Sequence, residues 1–268
     1  MRPILSTFLL MLISAAAQAE TIHLYAAGSL RAALMEVARA FEADGGDQHK
    51  VETTFGASGL LREQIESGAP AHVFASADTG HPKRLAEQGL AATPVRVFAR
   101  NELCALVREG LTVSSETLLD VLLDPKVRLG TSTPKADPSG DYAFALFAKA
   151  EAIKPGAKAI LESKALQLTG GPTSPKPPEG RSPYAWVMTS NQADIFLTYC
   201  TTALQAKAET PALSIVSIGK LLNVGADYGL IALRNGPAAA EDLVKYMLAG
   251  KAQTILLRHG FGPGNPLR

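Results

Sequence analysis

Cysteine is nearly absent from this sequence. Only Cys104 and Cys200 occur in 268 residues, and neither belongs to a CxxC pair or sits beside a histidine pair, so no zinc-binding pattern is present. The five histidines, His23, His49, His72, His81 and His259, stand in no recognisable catalytic context. The serine-bearing turn Gly56-Ala57-Ser58-Gly59 is not a nucleophile elbow, which needs glycines both two before and two after the serine; Leu60 occupies the second position. A charge excess is missing as well: 26 basic residues face 25 acidic ones, and no basic stripe marks a nucleic-acid binder. Beyond the first residues, no segment reaches about 18 uninterrupted apolar residues, the length a membrane-spanning helix needs.

The opening residues read as an address. Arg2 supplies a positive start, Ile4 to Ala17 is almost wholly apolar, and Ala17-Gln18-Ala19 is a small-x-small cleavage site. A run of that length is too short to span a bilayer and suits a signal-peptide core. Residues 1–19 are therefore expected to be a signal peptide, with a soluble mature chain starting near Glu20. An apolar fraction of 47% is enough for a core and argues against disorder. The remaining residues suffice for one large domain or two ordinary ones.

Strand and helix signals alternate. Thr21 to Ala27 is β-rich. After Ser29, the apolar positions Leu30, Ala33, Leu34, Val37 and Phe41 mark one helix face, which Gly45-Gly46 ends. Strands are expected at 51–55, 73–77, 95–99, 103–107, 127–130, 195–199, 213–218 and 228–233. Helices are expected from Leu60 to about Ser67, from Pro82, from Ser115 (a plain N-cap) to Leu123, from Asp141 to about Ile153, from Tyr184 to Ser190, from Ala239 to Ala249 and near 252–257. Residues 169–183, rich in proline and glycine, read as an exposed loop. Such βαβ alternation predicts parallel sheets flanked by helices.

Three turns share one design, in which a strand ends, a small or hydroxyl-bearing turn follows, and a helix begins. They are Ala26-Ala27-Gly28-Ser29-Leu30, Phe55-Gly56-Ala57-Ser58-Gly59-Leu60 and Asp137-Pro138-Ser139-Gly140-Asp141-Tyr142-Ala143. A helix N-terminus offers unpaired N–H groups and a positive dipole end, glycine allows close approach, and serine adds a donor. Several such termini facing one point would hold an anion without a buried lysine or arginine. A serine before a helix is usually just an N-cap; what lifts Ser29 and Ser58 is the glycine-bearing turn around each and their place in successive βα units.

The stretches AAGSL (26–30), FGASGLLREQIESGAPAHVFASAD (55–78), PSGDYA (138–143), ADIFLTY (193–199), YGLIAL (228–233) and ILLRHGF (255–261) together resemble the molybdate-binding periplasmic proteins of the type II binding-protein fold. That resemblance implies an α/β protein of two lobes, each an open, mostly parallel sheet flanked by helices, with the ligand in the interlobe cleft. Lobe one would take residues 20–99 and 220–268, and lobe two residues 100–219. By position, Ser29 and Ser58 match the family's two ligand serines, Ser139 lies where a backbone amide contributes, and Tyr199 matches its tyrosine. A further backbone donor would come from near Arg181, whose guanidinium could bring a positive charge to the site or stay in solvent. The chain departs from the family pattern at Gly28, at His72 and in a longer, proline-rich 163–183 region.

The resemblance further implies a tetrahedral oxyanion ligand (molybdate, with tungstate possible), no cofactor, no direct metal ligand, no catalysis, a monomer, and an ABC-transporter permease in the inner membrane as partner. Another small anion, such as sulfate, a carboxylate or a phosphorylated organic acid, is the alternative, and a secreted hydrolase a more distant one. Cys104 and Cys200 are expected either to bond, near the hinge beside Tyr199, or to stay as two separate buried thiols.

Overall fold

The computed structural model describes residues 20–45 and 48–264; the expected signal peptide, 1–19, lies outside them. In its first part the chain runs β1 (Glu20–Ala27), α1 (Arg31–Asp44), β2 (His49–Gly56), α2 (Ser58–Glu66), β3 (Val73–Ser76), α3 (Gly80–Glu87) and β4 (Arg96–Val107). There follow α4 (Leu118–Leu123), β5 (Leu129–Ser132), α5 (Pro138–Ile153), α6 (Ala157–Lys164), β6 (Leu166–Thr169), α7 (Pro183–Thr189), β7 (Ile195–Tyr199) and α8 (Cys200–Glu209). The chain continues through β8 (Ser214–Ser217), β9 (Gly225–Ala232), α9 (Ala238–Met247), α10 (Gly250–Arg258) and the short β10 (Gly262–Pro263).

The sheet order is β2-β1-β3-β9-β4-β7-β5-β6, with β8 and β10 also paired to β4. Strand β4 belongs to both halves: Arg96–Glu102 pairs with β9, while Leu103–Val107 pairs with β7 and Cys104–Val107 with β8. In the first half β2, β1, β3 and β4 point one way, and β9 runs against them. In the second half β8, β7, β5 and β6 agree in direction, and β4 is the opposed strand. Each half is therefore mostly parallel; the opposed strands are β9 in the first half and β4, which continues from the first half, in the second.

Three expectations need correction. The strands read separately at 95–99 and 103–107 form one strand, because Arg100-Asn101-Glu102 continues the ladder to β9. Polar residues there look like a break in sequence, but they lie where the strand crosses between lobes. Helix α8 was not foreseen, since its alanine- and threonine-rich stretch carries little amphipathic signal. Nor were α6 and β6, which precede the proline-rich loop.

The core follows the strand faces. In β1, Ile22, Leu24 and Ala26 alternate inward, as a half-covered strand requires. Phe98, Phe147, Tyr199 and Tyr228 are fully buried. At the far ends of β5 and β7, Arg108 and Arg128 both bind Asp194. Their hydrogen bonds, Arg128 foremost, hold its carboxyl far below the usual carboxylate range.

Cys104 and Cys200 are bonded, with Cα atoms 4.8 Å apart. The bond ties β4 to the first residue of α8, next to Tyr199. It closes a loop with a sequence separation of 96, for which chain-entropy reasoning gives about 4–5 kcal/mol, with measured values commonly about 2–5. Replacing both cysteines by alanine should lower the unfolding free energy by about 2–5 kcal/mol, read from urea denaturation without reductant. An unchanged midpoint would assign the bond no stabilising role.

Candidate functional site

The candidate site forms where strand ends meet helix starts. At the end of β1, Gly28–Leu30 makes a single 3-10 turn before α1. Ser29 Oγ there lies 3.0 Å from Tyr228 Oη. Ser58, 1% exposed, opens α2, and its Oγ accepts the Ala77 N–H at 3.1 Å. Tyr199 ends β7, and its hydroxyl donates to the Ala77 carbonyl at 3.3 Å. One residue just past the end of β3, Ala77, thus links a serine of the first half to the tyrosine of the second through its N–H and its carbonyl.

The aromatic rings complete the cluster. Tyr199 and Tyr228 have ring centroids 5.5 Å apart, and Tyr142 packs edge-on against Tyr199 at 6.1 Å. Tyr142 sits three residues after Ser139 on α5, a spacing that puts both on one helix face. Ser139 is wholly buried; its Oγ has no hydrogen-bond partner among the described residues, and its N–H donates to Asp137 Oδ1 at 3.0 Å. Ser29, Ser58, Ser139 and Tyr199 are therefore brought together, from both sides of β4.

Arg181 is not. Its guanidinium pairs with Glu209 and reaches Thr189, and Glu209 also accepts the Ser182 N–H. Glu209 is the last residue of α8 and Tyr199 directly precedes the first. At 1.5 Å per residue that is a separation of about 15 Å along the helix.

Two further residues belong to the cluster. Tyr228 is fully buried, and Asn101 Nδ2 donates to it at 3.3 Å and to Thr201 Oγ1 at 2.7 Å. The available signal was a tyrosine inside an otherwise apolar strand, since a buried Tyr hydroxyl almost always needs a partner. Burial drives the hydroxyl pKa values of Tyr199, Tyr228 and Tyr142 well above the ordinary tyrosine range, so all three stay neutral donors.

The two halves also meet through backbone. The Gly59 N–H donates to the Ala136 carbonyl at 2.8 Å. A Cβ on Gly59 would fall 2.3 Å from the Lys135 carbonyl oxygen, so only glycine allows this approach. Lys135 itself takes a left-handed conformation, φ 68°, uncommon for a residue with a side chain. An open cavity of about 790 Å³ adjoins this contact, lined in part by Arg62, His81, Arg84, Lys135, Asp78 and Asp141. Arg62 there is taken up by Glu66 and Glu63 and Arg84 by Glu66, so these cations already have carboxylate partners. Among the described residues no cluster of three or more His, Cys, Asp or Glu side chains could hold a metal ion, and no helix is long and apolar enough to cross a membrane.

Two α/β lobes joined through shared strands, with hydroxyls and helix N-termini converging between them, define a type II periplasmic binding-protein fold. Residues 22–262 match the family described as bacterial extracellular solute-binding protein, and the chain belongs to that family. An uncharacterized protein of Pasteurella multocida is 36% identical over 219 residues, covering 81% of this chain and 89% of its own. The molybdate-binding protein ModA of Haemophilus influenzae is 27% identical over 251 residues, covering 90% and 89%. Among solved structures, the Azotobacter vinelandii periplasmic molybdate-binding protein superposes with a TM-score of 0.71 at 21% identity, covering 90% of this chain and 98% of its own. The sulfate-binding protein SubI of Mycobacterium tuberculosis gives 0.73 at 19%, covering 91% and 87%. The protein is thus a substrate-binding component of the ABC-importer type.

The Gly59 contact yields a test. The methyl group of Gly59→Ala cannot fit against the Lys135 and Ala136 carbonyls and must displace the Lys135-Ala136 turn. Solution scattering should report a larger radius of gyration than for wild type. An equal radius would show that this approach does not hold the lobes together.

Proposed function

We propose that this protein captures a tetrahedral oxyanion in the interlobe cleft, with molybdate as the preferred cargo and tungstate as a substitute, and delivers it to the inner-membrane permease of an ABC importer. The observation that carries the reading is the convergence of Ser29, Ser58, Ser139 and Tyr199 at the N-termini of α2 and α5, with no lysine or arginine in the cluster. Molybdate, tungstate and sulfate are fully deprotonated near neutral pH and only accept hydrogen bonds. Neutral hydroxyls and helix-end amides suit them. The ModA relatives support molybdate. The likeness to SubI shares the fold, and sulfate, smaller than molybdate, is the second reading. Arg181, held by Glu209, is left out of the proposed ligand set.

In this reading residues 20–99 and 220–268 form lobe one and residues 100–219 lobe two, with β4 and the segment before β9 as the crossings. Residues 1–19 direct export, the mature chain works in the periplasm as a monomer, and it carries cargo without transforming it. The serine partners support a binding role over a hydrolytic one: Ser58 Oγ is bonded to the Ala77 amide and Ser29 Oγ to Tyr228, neither of which is a base.

Calorimetry on the mature protein tests the cargo. Molybdate and tungstate should bind with one site per chain, and Ser58→Ala should weaken binding by about 1–3 kcal/mol, the loss of a hydrogen bond to a charged group. A response to an organic acid with none to either oxyanion would refute the cargo, and an unchanged affinity in Ser58→Ala would remove Ser58 from the site.

A further inference from the structure

The Asp137 carboxylate stands where an anion site should have no negative group. Asp137 is the N-cap of α5, and its Oδ1 accepts the Ser139 N–H at 3.0 Å. The residue is half-buried, and burial is the main influence on its carboxyl group. Gly170, at φ 73°, crosses over it so closely that a Cβ there would fall 2.4 Å from Asp137 Oδ2. The Ser139 amide that an oxyanion would use is thus already given to a carboxylate. Directly beside it lies the buried Ser139 hydroxyl, which has no partner among the described residues.

We propose, on the footing of the oxyanion reading above, that Asp137 is a selecting residue of the site: it lets an oxyanion take the Ser139 amide only together with one proton, carried by Asp137 itself or by the anion. An oxyanion oxygen within hydrogen-bond reach of the Ser139 N–H comes to lie against Asp137 Oδ1. Two like charges so close, in a poorly solvated place, cannot both persist. With one proton between them, the repulsion becomes an O–H···O bond. A fully deprotonated oxyanion must therefore bind with uptake of a proton, whereas a protonated one brings its own.

The surroundings leave Asp137 as the group that responds. It is faced by Ser132 of β5, Tyr184 of α7, Tyr199 of β7, Tyr228 of β9 and Asp141 of its own helix. The tyrosines are neutral throughout the physiological range. Burial is the main cause that pushes the Asp137 carboxyl up to about 6, with the Ser139 N–H opposing and Asp141 reinforcing. Asp141 is also raised by burial and His81 lowered by burial, but both face Asp78 and each other. For the sign, a carboxyl with a raised pKa holds its proton more readily in the folded protein than in the unfolded chain. Below about 6 Asp137 already carries the proton, so affinity is level; above it, each unit of pH removes a tenfold share of the competent form.

The test is calorimetry of wild type and Asp137→Asn with molybdate, in buffers of different ionisation enthalpy, between about pH 6.5 and 8.5. Asparagine is as good an N-cap as aspartate, so the variant keeps α5, and Asp137→Ser provides a second capping variant. Wild type should take up close to one proton per molybdate and lose affinity about 100-fold across that range. Both variants should take up none and hold their affinity constant. Molybdate binding by wild type without proton uptake and with a flat pH profile would overturn the role of Asp137 and leave the oxyanion reading standing. A response of neither wild type nor variant to molybdate or tungstate at any pH would overturn that reading, and the proposal with it.

Discussion

One strand, β4, holds hydrogen-bond ladders in both lobes, and the site depends on it. Ala99 registers with Tyr228 and Leu103 with Tyr199. The two buried tyrosines are therefore spaced along a single extended segment, with Asn101 between them. A strand rises about 3.3 Å per residue and cannot stretch. The distance between the two ring-bearing strands is set by β4 rather than by contacts within the cleft. The disulfide strengthens the same frame, because it fastens β4 to the residue after Tyr199.

Around that frame the chain places neutral dipoles where a less economical design would place cations. A buried guanidinium or ammonium must itself be desolvated and needs a partner when no anion is present. Hydroxyls and helix-end amides cost less to bury and can pair with one another. The arrangement also explains why overall charge is silent about the ligand. The basic and acidic residues nearly balance, and two of the cations that line the cavity, Arg62 and Arg84, are paired with Glu66 of their own half. Asp137 is then the exception that matters, since its carboxyl accepts the Ser139 N–H, an amide of the proposed site.

The parts of the architecture legible in the sequence were those fixed by local rules. Strand β1 and helix α1 follow from alternation and a helical apolar face, and β7 ends at Tyr199 as read. The turns at Ser29, Ser58 and Ser139 could be recognised because glycine, serine and a following helix face carry a defined backbone geometry. What was hidden depends on pairing across long stretches of chain. Nothing local says that Arg100-Asn101-Glu102 continues a strand, because its partner in β9 is more than 120 residues away. Tyr228 and Asn101 gain their roles only once that pairing exists. The position of Arg181 beside Glu209, away from the serine and tyrosine cluster, was hidden for the same reason. A loop arginine before a helix says nothing about which end of a later helix it will reach, and α8 was itself invisible because its alanines and threonines lack a strong apolar stripe.

Three hydroxyls of the cluster have partners within the protein: Ser29 bonds to Tyr228, Ser58 accepts the Ala77 N–H, and Tyr199 donates to the Ala77 carbonyl. A lone buried hydroxyl costs about 1–3 kcal/mol; these bonds offset that cost at Ser29, Ser58 and Tyr199, while Ser139 Oγ has no partner among the described residues. On the proposed reading, loading is an exchange of these partners, so hydrogen bonding alone does not tie closure of the lobes to cargo. A membrane component that sensed only the shape of the closed protein would accept unloaded carriers as readily as loaded ones. It has to read something that cargo changes besides closure, such as the strength with which the lobes stay shut.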